Sequence, residues 1–165
     1  MVGGAPTVLG LFGGLLVAVV FTLLFELRTR EFTLPTTPLW NRYVGPIGVG
    51  RLRVPGASVL HLLVGALAGG LFPSLVTAFL GVETVYLSTF PQALTAGLGY
   101  GLAMYAAARV AELLGLVDLV APAESRLLFE YHVLYGLGLG TWFGLSQWLG
   151  YPVVCTLFET VCTGA

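Results

Sequence analysis

The sequence predicts an all-α, polytopic membrane protein whose four transmembrane helices form two tandem, related hairpins, and three observations predict it. Of its 165 residues 57% are hydrophobic and 9% charged, with a mean hydropathy of +0.93. That is too little polar surface to coat a soluble domain of this size. Second, four apolar runs approach the roughly 20 residues needed to cross a hydrocarbon core of about 30 Å. Third, His61 to Phe72 (HLLVGALAGGLF) and His132 to Phe143 (HVLYGLGLGTWF) share the pattern His-x-Leu-x-Gly-x-x-x-Gly-x-x-Phe. Residues 1–165 are read as a single membrane domain.

The first helix is expected at about 7–26, where the apolar run from Thr7 to Phe25 ends in Glu26, Arg28, Arg30 and Glu31. A cleaved signal peptide carries its positive charge before the apolar core. Here the arginines follow it, so a retained helix is expected. Residues 31–56 hold Pro35, Pro38, Pro46 and Pro55 among glycines, which excludes a long helix. This loop also carries Trp40, Tyr43, Arg42, Arg51 and Arg53, a mixture suited to the headgroup region. Its GPIGVG piece lacks the flanking strand and the Lys-Ser/Thr of a phosphate-binding loop.

The second helix is expected at about 57–80, kinked near Pro73. A short turn leads to the third, about 91–116, with Pro91 at a favoured first position and Arg109 and Glu112 in its last turns. The fourth is expected at about 127–149, with Trp142, Trp148 and Tyr151 towards its far end as an aromatic belt. The remainder, 150–165, is too short and interrupted for a fifth span and reads as an outer tail.

Arginine placement sets the orientation. Five arginines lie in or beside the first connection and Arg109 and Arg126 flank the third. By the positive-inside rule those connections are cytoplasmic, which places both termini outside a cell membrane crossed several times. The formal net charge of -1 offers no basic stripe for phosphates, so nucleic acid is not an expected partner. The expected partners are the lipid bilayer and either further copies of the chain or other membrane subunits.

Glycines recur at four-residue spacing, notably Gly65 and Gly69 in the second helix and Gly136, Gly140 and Gly144 in the fourth. Such spacing puts small residues on one helix face and lets backbones approach closely, so these residues are the expected packing seam. His61 and His132 fall on the same faces, one step before Gly65 and Gly136. Ionisable groups inside membrane spans turn inward towards partners or water. They form a candidate polar layer with Glu26, Glu112, Glu130 and Tyr135, near Tyr105 and Tyr131.

Three readings of that layer compete. In the first, the imidazoles hydrogen-bond a carboxylate, tyrosine or carbonyl and set helix register. In the second they relay protons or ions, or admit a small solute, at the interface of the repeats. In the third, His61 and His132 hold haem b or a metal ion. The first leads, and with it no cofactor is expected. No catalytic residue is assigned, because the serines form no nucleophile motif and neither HExxH nor Cys-x-x-Cys occurs. Cys155 and Cys162 fall in the outer tail. They either form a disulfide, which needs an irregular backbone because seven helical residues rise about 10.5 Å, or remain thiols.

The His132-x-x-Tyr135-Gly136 core in a four-helix chain resembles small inner-membrane proteins of the YagU-like sort. The first copy departs from it, with Val64 where the tyrosine would stand. The resemblance implies a membrane location and no particular activity.

Overall fold

A computed structural model of the chain describes residues 4–28, 56–81, 89–116 and 125–148. Those residues form four helices, α1 Gly4–Arg28, α2 Gly56–Leu80, α3 Phe90–Leu113 and α4 Ser125–Trp148, and no strand. The interfacial loop, the turn after Gly81, the third connection and the tail with Cys155 and Cys162 lie outside the described residues. Glycine is a poor helix former in water. The helices nevertheless run unbroken through their glycines.

The sequence expectation placed the end of the third helix near residue 116, but α3 stops at Leu113. Gly115 takes a positive φ of 67°, Leu116 N–H donates to the Ala111 carbonyl at 3.0 Å and Gly115 N–H to that of Glu112 at 2.9 Å. This is a Schellman stop, which satisfies two end carbonyls of the helix. α2 ends at Gly81, φ 64°, whose N–H makes the single bond of an αL stop to the Thr77 carbonyl at 3.0 Å. At the other end of α3, Thr89 is extended and its hydroxyl accepts from Gln92 N–H at 3.4 Å, so Pro91 is the second helical residue and not the first.

α1 packs along α2 and α3 along α4; the two pairs join mainly through α1 and α4, with a slighter contact between α2 and α3. Each pair is antiparallel and closes on glycine. Gly14 faces Gly65 and Gly69, and Gly10 faces Gly69 and Gly70. In the second pair Gly97 faces Gly136 and Gly140, while Gly101 faces Gly136 and the His132 carbonyl. A methyl group at Gly69 would stand 2.6 Å from the Gly14 Cα, closer than any side-chain contact tolerates. The backbones themselves form these seams.

The core between the pairs is built by Val17, Ala18, Ala68, Phe72, Val76, Ala93, Ala96, Tyr100, Tyr131, Tyr135, Leu139 and Phe143. Phe72 and Phe143 end the two twelve-residue copies and meet with ring centroids 5.0 Å apart. Tyr100 abuts Phe72 edge-on at 5.2 Å. Two segments, Pro6–Leu24 in α1 and Val59–Phe79 in α2, are long and apolar enough to cross a membrane.

Candidate functional site

α4 turns two neighbouring stripes towards two different partners. His132, Gly136, Gly140 and Gly144 face α3: an added methyl group at Gly140 would reach Leu94 Cα at 2.9 Å, and one at Gly144 would reach the Phe90 ring at 2.6 Å. One position earlier, Tyr131, Tyr135, Leu139 and Phe143 recur at the same spacing, and all four are buried in the core between the pairs. Four-residue spacing keeps each set on one face, and the one-residue offset rotates the second set onto the α1 and α2 pair.

That second stripe meets His61. The Tyr131 hydroxyl lies 2.5 Å from His61 Nε2, and the two rings touch edge-on at 5.2 Å. His61 is 4% exposed and sits where α1, α2 and α4 converge. One turn along, the Tyr135 hydroxyl donates to the Gly65 carbonyl at 2.5 Å. Tyr100 of α3 donates to the Ala68 carbonyl at 2.6 Å, and Trp142 Nε1 of α4 donates to the Leu9 carbonyl at 3.0 Å. Tyr135, Tyr100 and Trp142 are donors on the second pair, and each acceptor carbonyl belongs to the first. The bonds therefore tie the pairs in depth and rotation, where apolar contact alone would let them slide.

His132 is placed differently. Its Nδ1 lies 2.8 Å from the Leu128 carbonyl, one turn back on its own helix. A carbonyl only accepts, so Nδ1 carries a proton, and in the neutral ring Nε2 is left as an acceptor. The ring has edge contacts with Tyr105 at 6.2 Å and Tyr131 at 6.0 Å. Tyr131 thus touches both imidazoles.

The acidic residues expected in this layer are engaged on their own helices. Glu112 pairs with Arg109, and Glu130 with Arg126 at 2.9 Å. Pairs as exposed as these contribute little to stability. The Glu26 side chain lies outside the described residues. The sequence pattern does not single out Tyr100 for this layer, and it suggests an interfacial anchor for Trp142, which the structure shows as a donor between the pairs. Tyr100 sits between Gly97 and Gly101 as Tyr135 sits beside Gly136, a signal available to a reading that looks for polar residues flanking small ones.

The arrangement can fix helix register through the bonds that Tyr131, Tyr135, Tyr100 and Trp142 make across the pairs. Among the described residues no three of His, Cys, Asp and Glu gather as a metal-ligand set. Nor does the geometry favour haem, because bis-imidazole ligation puts a macrocycle between the two rings, and here the Tyr131 ring contacts both. No protein family, curated protein or solved structure matches the chain.

Proposed function

We propose that this chain is an integral membrane protein with a structural or binding role, built from two tandem related hairpins, which associates with further copies or serves as a subunit of a larger membrane assembly. The observation that carries the reading is the polarity of α2. His61 is 4% exposed, while Leu63 and Leu67 on the same helix are 57% and 61% exposed. A water-soluble bundle would reverse that distribution. α1 repeats it with Leu15, Leu16, Leu23 and Leu24 exposed. An exposed apolar surface of this extent calls for lipid or protein against it.

Four crossings suit the chain, although among the described helices α1 and α2 alone are long and apolar enough to cross a membrane by length and composition. α3 and α4, each 24 residues, extend about 36 Å. No charged residue lies between Phe90 and Ala108 or between Tyr131 and Trp148. Their hydropathy is lowered by glycine and by tyrosines whose hydroxyls bond inside the bundle. The duplication is supported by the two antiparallel glycine seams and by the meeting of Phe72 with Phe143, the contact that a twofold axis along the helices would produce. Kinship with YagU-like proteins adds only the motif at His132 to Gly136.

The native cysteines offer the test. The protein should resist alkaline carbonate extraction. After mild reduction, Cys155 and Cys162 should react with an impermeant maleimide applied to intact cells. Release by carbonate would sink the membrane reading, and labelling only after lysis would reverse the orientation. Cross-linking in native membranes should give species larger than a monomer. A second reading, proton passage between the pairs, is supported by the buried imidazole and phenol in contact there. It requires proton flux in liposomes that His61→Ala abolishes.

A further inference from the structure

Two buried side-chain atoms lack a hydrogen-bond partner among the described groups, Nδ1 of His61 and Oγ1 of Thr22. They belong to one place. The Tyr131 hydroxyl is 2.5 Å from the other nitrogen of the same imidazole, and Thr22 of α1 lies beside that phenol oxygen. Helix register agrees, because Ala18 lies against Gly65 and one turn outward along this antiparallel pair brings Thr22 beside His61.

Folded proteins rarely leave such buried atoms unbonded, because the desolvation of the group is then uncompensated. The occupant must satisfy an imidazole nitrogen whose role depends on Tyr131. If the phenol donates to Nε2, Nδ1 bears a proton and needs an acceptor; if Nε2 donates, Nδ1 needs a donor. Water serves either case, and it serves a hydroxyl as well. A hard cation would demand several oxygens, usually with a carboxylate. Among the described groups, Tyr131 meets His61, Thr22 lies beside the phenol, and His132 lies across the Tyr131 ring. None of them is a carboxylate.

We propose that an ordered water molecule is bound where α1, α2 and α4 meet, hydrogen-bonded to His61 Nδ1 and Thr22 Oγ1 beside the Tyr131 hydroxyl. It gives a buried imidazole an exchangeable neighbour in the interior of the bundle. The site does not depend on the role proposed for the whole protein.

Water-edited nuclear magnetic resonance on uniformly nitrogen-15-labelled full-length protein in bilayers tests it. Magnetisation should pass from water to the His61 imidazole faster than to amides of Ala68 and Leu139, which are equally buried. Thr22→Val, nearly isosteric, should slow that transfer several-fold, and Thr22→Ser should restore it. The His132 signal, whose Nδ1 is held by Leu128, serves as the internal reference and should not change. Absence of transfer to His61 in the unaltered protein would overturn the proposal, whatever the variants do. So would transfer that Thr22→Val leaves unchanged.

Discussion

Replacing Gly136 by alanine would set a methyl group against the Gly97 carbonyl oxygen and 2.8 Å from both Cα and N of Gly101. Ordinary contact begins at 3.4 Å, so the α3 and α4 backbones must part by at least 0.6 Å. No flexible side chain can give way, because every nearby atom is backbone. Overpacking of this kind costs about 1–3 kcal/mol. Alanine also favours the helix by about 1 kcal/mol over glycine in water, which blurs a single comparison. Gly99→Ala removes that ambiguity: Gly99 lies on the same α3 helix that faces Gly136, and nothing stands within 4 Å of its added methyl group. The two variants share the propensity gain, so their difference isolates the seam. Reversible unfolding in mixed micelles, followed by circular dichroism, should show Gly136→Ala less stable than Gly99→Ala by about 1–3 kcal/mol, or roughly 5- to 150-fold in the folding equilibrium. Equal stability would refute the claim that backbone contact closes this pair.

Three further outcomes follow from the same contacts. Tyr131→Phe strands His61 Nε2 in the interior and should cost about 1–3 kcal/mol, whereas Tyr135→Phe leaves a Gly65 carbonyl still inside its helix and should cost about 0.5–1.5 kcal/mol. A reversed order in unfolding measurements would remove His61 from the centre of the layer. Gly115→Ala should destabilise by about 1 kcal/mol despite its open surroundings, because φ is 67° there; a neutral result would mean that α3 ends otherwise. Purified protein should be colourless and its absorption unchanged by His61→Ala with His132→Ala. A Soret band lost in that double variant would establish haem ligation and displace the structural reading.

The sequence by itself determined that four helices form and roughly where they lie. Long apolar runs at helical length satisfy their backbone within their own segment as helices, and the breaks between them are marked by proline, glycine and charge. It also placed small residues and histidines on particular faces, because four-residue spacing is a property of one helix taken alone. Which face meets which partner is another matter. The approach of Tyr131 to His61, of Tyr100 to the Ala68 carbonyl and of Trp142 to the Leu9 carbonyl joins residues 32 to 133 positions apart. Such bonds depend on the relative rotation and depth of two helices, and no periodicity within either one carries that information. The same limit hid the asymmetry of the two copies: Val64 could be seen to replace a tyrosine, but only packing decides that Tyr135 reaches Gly65 while Val64 turns outward, 39% exposed. Tertiary structure therefore turned a list of polar residues at similar depth into a bonded layer, and it left Glu112 and Glu130 paired with arginines of their own helices.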